Sequence, residues 1–311
     1  MPEEQAIIKV TNLQKKYGSF EAVKGISFSV KKGELFAFLG TNGAGKSTTI
    51  DILCTLLKKT AGDVMIDGCT LGEGKGNNSI RDKIGVVFQE SILDERLTVY
   101  ENIMNRGHYY NLSKSQIQEN YHFVSKYLNL DDIKAKNYST LSGGQRRRAD
   151  IARAIIHKPS ILFLDEPTTG LDPQTRLFVW EAIKRLQEET NMTIFLTTHY
   201  MEEAAVADHV VVIKEGRLVA KGTPSQLKDE YAFDSMHLIF NQAFDPPSWF
   251  KEKRLSYTLK NSTYTLRLPS TLDAYGILKE LEGEIKSFEV IKGSMDDVFI
   301  NIIEEKGSIS Q

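Results

Sequence analysis

The segment GTNGAGKST, residues 40 to 48, sets a lysine and two hydroxyl residues behind spaced glycines. Glycines at 40, 43 and 45 let the backbone fold tightly, so that successive N–H groups point inward at phosphate oxygens. A helix beginning near Lys46 adds roughly half a positive charge at the same place. In such a loop the Lys46 ammonium reaches β- and γ-phosphates and the Ser47 hydroxyl ligates Mg²⁺. The spacing G-x-x-x-x-G-K-[ST] between a strand and a helix is the context this chemistry requires, which a chance glycine-rich turn would not supply.

Two acids complete the set. In ILFLDEP, residues 161 to 167, four apolar residues bury a strand and deliver Asp165 and Glu166 to its C-terminal edge, where ligands gather in open α/β sheets. Side chains alternate along an extended strand, so Asp165 is expected to face a metal through water and Glu166 to polarise an attacking water as general base. The other reading, an exposed acidic strand end, carries no such role. A second anion site lies in LSGGQRRRAD, residues 141 to 150. Ser142 can cap a helix there, leaving the N–H groups of Gly143, Gly144 and Gln145 without intrahelical partners. Arg146, Arg147 and Arg148 read equally as a solvated, salt-bridged helix face or as phosphate contacts.

Positioning these groups takes a sheet. ELFAFLG (34 to 40), KIGVVF (83 to 88), SILFLDEP (160 to 167) and MTIFLTTH (192 to 199) read as buried strands, the last two flanking a helix in FVWEAIKRLQEE as a βαβ unit. Between Gln89 and Pro159 the apolar residues follow helical spacing, which predicts a helical insertion. HVVVIKEGRLVAKGT (209 to 223) predicts a hairpin. From about residue 225 composition shifts, with a hairpin in YTLKNSTYTLRLP, a helix in TLDAYGILKELEG, a strand in SFEVIKG and a last helix in SMDDVFINIIEE. These predict a small α+β accessory domain.

The bulk numbers fit a folded chain of more than one domain: 311 residues, 41% hydrophobic and 26% charged. A net charge of −2 gives no footprint for nucleic acid or an anionic membrane surface. Cys54 and Cys69 are too few for a disulfide framework or metal cluster, which points to a reducing cytosol. The N-terminus lacks the pattern of a signal peptide, and no apolar run reaches ~20 residues, so a soluble chain is expected, with any membrane role exercised through a partner.

Together, in this order, the motifs resemble those of the ATP-binding cassette (ABC) ATPase subunits of membrane transporters, over roughly residues 6 to 225. The resemblance implies a P-loop NTPase core with a mixed, mainly parallel sheet and antiparallel N-terminal strands. It places an ABC ATPase domain at 1–225, its helical subdomain at about 90–159, and an accessory α+β domain at 226–311. Residue by residue, it implies that Tyr17 stacks on adenine, although such a tyrosine also suits simple packing. Gly40, Thr41, Asn42, Gly43, Ala44, Gly45, Lys46, Ser47 and Thr48 would form the Walker A loop, with threonine at 41 where many members have proline. Gln89 would touch Mg²⁺ and water and link the site to the membrane partner. Asp165 and Glu166 would be the Walker B pair, Leu171 and Asp172 would act across a dimer, and His199 would contact the γ-phosphate.

By the same resemblance, Ser142, Gly143, Gly144 and Gln145 receive the γ-phosphate of ATP held by a second copy, in a head-to-tail dimer around two nucleotides. A separately encoded permease is the further partner, docking near residues 90 to 110, so the expected location is peripheral, at the cytoplasmic side of the membrane. SMDDVFI (294 to 300) and LTTHYMEEA resemble segments of the drug-exporter branch. A soluble ABC ATPase acting in translation or DNA maintenance is the competing class, but neither a second cassette nor a long coiled-coil insertion is present. A phosphotransferase would leave LSGGQ without purpose. The transported substrate, the direction of transport and homo- against heterodimer are not readable.

Overall fold

The computed structural model describes residues 6–72 and 74–305, so the first five residues of the N-terminal stretch read above lie outside it. Two compact units divide between Lys221 and Gly222.

The first unit opens with β1 (Ala6–Tyr17) and β2 (Phe20–Lys31), followed by β3 (Leu35–Leu39), which runs through the glycine loop into α1 (Lys46–Leu53). Next come β4 (Ala61–Ile66), β5 (Cys69–Thr70), α2 (Gly76–Lys83) and β6 (Ile84–Val87). An antiparallel sheet of order β2-β1-β4-β5 results. The helical insertion supplies α3 (Val99–His108), α4 (Lys114–Leu128) and α5 (Gly143–Ile155). After it come β7 (Ile161–Asp165), α6 (Pro173–Thr190), β8 (Thr193–Thr198), α7 (Met201–Ala205), β9 (His209–Lys214) and β10 (Arg217–Gly222).

The main sheet has the order β10-β9-β3-β8-β7-β6 and is parallel from β9 through β6. Every residue of β3, β7 and β8 is buried, as expected of parallel strands covered on both faces, which is why β3 is apolar throughout, β7 is apolar up to Asp165 and β8 carries Ile194, Phe195 and Leu196 in a row. Phe28 of β2 sits 5.6 Å from Phe36 and 5.5 Å from Phe38 between ring centroids, so one aromatic cluster locks the antiparallel sheet onto the parallel one. All three helices of the insertion start with capping boxes, at Thr98, Ser113 and Ser142.

The second unit contains α8 (Pro224–Tyr231), β11 (Asp234–Phe240), α9 (Pro246–Lys253), β12 (Tyr257–Lys260), β13 (Thr263–Leu268), α10 (Asp273–Glu280), β14 (Ile285–Ile291) and α11 (Met295–Glu305). Its antiparallel sheet, of order β12-β13-β11-β14, covers a core of Met236, Leu238, Phe250, Leu266, Leu268, Ala274 and Leu281. Within this unit α11 packs on α8, and Asn301 Nδ2 donates to the Tyr231 carbonyl at 2.7 Å. The sequence reading found the hairpin, helix, strand and last helix but missed β11, the strand that joins them. Its alternation of Met236, Leu238 and Phe240 is only three residues long, and its polar neighbours Asp234, Ser235 and His237 mask it.

Candidate functional site

Residues 40 to 48 leave β3 at the centre of the main sheet and close into α1. Gly45 caps α1 at φ 108°, with no side-chain cap, so the first N–H groups of the helix are left for a ligand. A side chain at 45 would meet the Ala22 carbonyl at 2.8 Å. The Lys46 stem folds back over the loop, and its Nζ donates to the Gly40 carbonyl at 2.9 Å and the Thr41 carbonyl at 3.2 Å. It also lies 3.3 Å from Glu166 Oε1, with Lys46 4% and Glu166 8% exposed.

Strand β7 delivers the two acids as the sequence suggests, with one correction. Glu166 does not continue the extended strand: it has φ 44°, in the left-handed region, just past the end of β7. Turning of the backbone, rather than strand alternation, therefore separates the two carboxylates. The turn is held by the Glu166 N–H donating to the Thr197 carbonyl at 3.1 Å and by Arg147 Nη2 donating to the Glu166 carbonyl at 3.3 Å. Neither acid forms an exposed strand end, since both are buried. Asp165 accepts from the Thr197 hydroxyl. Burial pushes the Asp165 carboxyl above its ordinary value; the Thr197 hydrogen bond, Lys46 and Arg147 oppose that, while the Glu166 charge adds to it. His199, one residue past β8, places Nδ1 3.1 Å from Glu166 Oε2. That approach lacks hydrogen-bond alignment, because Nδ1 is also a buried atom without a bonded partner.

A cavity of about 460 Å³ opens beside these groups, lined by Tyr17, Phe20, Asn42, Gly43, Gly45, Lys46, Ser47, Thr48, Gln89 and Glu166, with Ala22 at its edge. Thus the structure gathers the loop, Tyr17, Gln89 and Glu166 around one space. The buried Ala44 accepts from the Gly216 N–H at 2.9 Å, which ties the loop to the β9–β10 turn. Phe20 was missed by the sequence reading. The available signal was the two-residue connection Gly18-Ser19, which makes Phe20 the direct cross-strand neighbour of Tyr17.

Ser142, Gly143, Gly144 and Gln145 are not brought to this cavity. They begin α5, where Gly143 faces Leu171, and a side chain at Gly144 would meet Thr175 Cγ2 at 2.2 Å. Ser142 caps the helix as read, yet Gln145 is not free: its N–H donates to Ser142 Oγ at 3.4 Å, and its Oε1 accepts from the Ser142 N–H at 3.2 Å. The capping box leaves Gly143 and Gly144 to offer their N–H groups. The three arginines divide. Arg148 pairs with Asp132 at 3.0 Å, and Arg146 lies 4.0 Å from Glu95. Arg147 follows neither reading: it is buried, donating to the carbonyls of Phe88 at 2.7 Å and Gln89 at 3.5 Å as well as Glu166. Burial lowers its pKa, against the attraction of Asp150. One guanidinium thus clamps the segment carrying Gln89 to the residue at the end of β7.

Comparison with known proteins settles the class. The family model described as ABC transporter matches residues 23–169. The linearmycin resistance ATP-binding protein LnrL of Bacillus subtilis (strain 168) is 40% identical over 243 residues, covering 76% of this chain and 77% of that protein. The chain belongs to the ABC transporter ATP-binding family. As a member of this ATPase family it has a P-loop nucleotide-binding fold. Residues 222–303 match a second model, the C-terminal domain of DrrA1-3-like ATP-binding proteins. The daunorubicin/doxorubicin resistance ATP-binding protein DrrA of Streptomyces peucetius is 34% identical over 303 residues, covering 94% of this chain and 91% of that protein. Among solved structures, cbiO1 from Clostridium perfringens, part of the ABC transporter complex cbiONQ, superposes with TM-score 0.68 at 33% identity, over 73% of this chain and 92% of that one. The dimeric post-hydrolysis state of the cassette MJ0796 bound to ADP and Pi superposes with TM-score 0.64 at 30% identity, over 70% of this chain and 98% of that one. Among the described residues no helix is long and apolar enough to cross a membrane.

Proposed function

We propose that this ABC ATPase powers an exporter through a separately encoded permease, working as a head-to-tail dimer of two copies around two ATP molecules, at the cytoplasmic side of the membrane. The observation that carries the reading is the meeting of Lys46, Glu166 and His199 beside the glycine loop, with Glu166 3.3 Å from Lys46 and 3.1 Å from His199. Export is favoured by relatives named for antibiotic resistance that include one aligned over nearly the whole chain.

Tyr17, with Phe20 beside it, offers a stacking face for adenine, and the N–H groups of residues 40 to 48 cradle the phosphates. For Lys46 to reach the β- and γ-phosphate oxygens it exchanges its present contacts with Glu166 and the loop carbonyls. That exchange frees Glu166 to take a proton from water as general base, while His199 orients on the γ-phosphate. Hydroxyl, amide and carboxylate oxygens of Ser47, Gln89 and Asp165 suit Mg²⁺. No group of three or more acidic, His or Cys side chains forms a metal cage among the described residues, as fits an ion bound mainly through substrate phosphates. Held by Ser47, Gln89 and Asp165, the ion would supply positive charge that offsets the negative charge developing on the phosphates.

Ser142, Gly143, Gly144 and Gln145 stand at a helix N-terminus away from the cavity of their own chain. The second copy would supply the γ-phosphate they receive, with Leu171 and Asp172 near the contact. Hydrolysis removes that shared anion and loosens the dimer, a shift powered by the difference in affinity between ATP and ADP states. Light scattering on Glu166→Gln protein with saturating ATP tests the dimer: a mass of two chains is expected, and a monomer that binds ATP sinks it. Pull-down of the same protein from detergent-solubilised native membranes, with mass spectrometry, tests the permease; ribosomal or DNA-bound partners instead would move the function to the cytosol.

A further inference from the structure

We infer that Glu203 is a positioning residue for hydrolysis, tying the turn that carries Glu166, Leu171 and Asp172 to the helix behind His199, so that general base and γ-phosphate contact stay in one frame. This rests on the roles of Glu166 and His199 proposed above and adds a residue outside the lining of the cavity. Glu203 sits on α7, in the segment that follows His199, and is 1% exposed. Its Oε1 accepts from the Thr168 hydroxyl and from Trp180 Nε1 of α6, the latter at 3.4 Å. Thr168 is fully buried, and its carbonyl accepts from the Leu171 N–H at 3.1 Å. The bond to Glu203 therefore bears on both ends of the segment from 166 to 172.

A second tie runs between the same segments. Arg176, near the start of α6, pairs with Glu202 at 3.3 Å and lies 4.9 Å over the Tyr200 ring, which itself stands 4.1 Å from the ring of His199. Glu166 holds φ 44°, a backbone state that persists only where its surroundings enforce it. Thr197 and Arg147 grip its N–H and carbonyl, and Glu203, through Thr168, fixes the chain that leaves it.

Packing alone does not explain an acid at 203. Burial pushes the Glu203 carboxyl above its ordinary value, against the Thr168, Thr198 and Trp180 donors and the charge of Arg176. Its second oxygen, Oε2, is buried without a hydrogen-bond partner among the described residues. A leucine of similar bulk would avoid both costs, so the carboxyl is kept for the bond it makes. A general base displaced by about 1 Å costs on the order of 10²-fold in rate, whereas nucleotide binding through the glycine loop is untouched.

Steady-state turnover and fluorescent-nucleotide titration of the full chain test this. Thr168→Val keeps the shape and removes only the donor, so kcat should fall about 10- to 100-fold with the nucleotide Kd within about twofold of the parent. Glu203→Ala should do the same, and the double variant should lose no more than either single one, because both cut one bond. Glu203→Gln keeps an oxygen for the Thr168 hydroxyl and should return turnover to within about threefold of the parent. Unchanged kcat in Thr168→Val, losses that multiply in the double variant, or a Glu203→Gln protein as slow as Glu203→Ala overturns the inference. So does a Kd that rises as kcat falls, the mark of a collapsed site. Should Glu203→Ala not fold, Thr168→Val and Glu203→Gln carry the test alone. Glu166→Gln separates the two readings: if it is slow while Thr168→Val is normal, only the role of Glu203 falls. If Glu166→Gln keeps full turnover, the general base falls and this role with it.

Discussion

The two units bury different things. Every buried polar or charged residue among those described, from Glu34 to Glu203, belongs to the first unit, whereas the buried residues of the second, such as Met236, Leu238, Phe250, Leu281 and Val298, are apolar throughout. Buried charge is expensive unless paired, so a fold that keeps Lys46, Arg147, Asp150, Arg153, Asp165 and Glu166 inside is paying for chemistry or coupling. A fold with an apolar interior holds itself together and offers its surface. The contrast assigns ATP chemistry to the first unit and leaves packing or recognition to the second.

The largest effect that sharpens this contrast is at Glu166. Glu166→Gln should lower ATP turnover by about 10² to 10⁴ while nucleotide binding persists; loss of binding in a fluorescent-nucleotide titration would instead make Glu166 a ligand. In the second unit the matching experiment is Phe250→Ala. Phe250 is fully buried, with Tyr257 4.6 Å and Tyr264 5.5 Å from its ring, so truncation should destabilise that unit by about 3 to 5 kcal/mol. Calorimetry should show the C-terminal transition moving down with ATP binding retained. Loss of ATP binding would break the division of labour.

Much of the first unit was legible because its motifs are rigid constraints. A buried parallel strand must read as an apolar run, and a phosphate loop must carry glycine where a side chain would strike Ala22. What stayed hidden is what the backbone does between motifs. The left-handed turn at Glu166 breaks strand alternation, and no residue type announces it. Burial of Arg147 depends on the carbonyls of Phe88 and Gln89, far away in sequence, whereas Arg146 and Arg148 beside it are only partly buried and pair with acids. The second unit was less legible because its short half-exposed strands carry weaker alternation, as the omission of β11 shows.

A smaller effect separates the two units by pH. His157 stacks on Tyr110 at 3.7 Å, and its Nε2 lies 3.1 Å from the Ile84 carbonyl, which it can reach as a neutral donor. Burial depresses its pKa from 6.5 to about 4; the Ile84 bond opposes this, and Arg106 and Arg153 add to the depression. Since the folded value lies below the unfolded one, the contribution is fully present above about pH 6.5 and is lost as pH falls toward 4, by up to about 3 kcal/mol. The first unit should lose thermal stability across that window, and His157→Gln should flatten the slope. An unchanged slope would place the acid sensitivity elsewhere.

The finest test is at Ser142, where cap and anion site coincide. Ser142→Ala removes the acceptor for the Gln145 N–H and should cost about 1 kcal/mol of stability. Aspartate caps as well as serine, so Ser142→Asp should keep the melting temperature near that of the parent. It also sets a negative charge where the partner copy's γ-phosphate is proposed to dock. In a Glu166→Gln background with ATP, light scattering should therefore find Ser142→Asp monomeric and, by comparison, Ser142→Ala still able to pair, because the Gly143 and Gly144 N–H groups remain. If Ser142→Asp dimerises as well as its parent, the helix start is a cap and nothing more, and the phosphate contact must lie elsewhere.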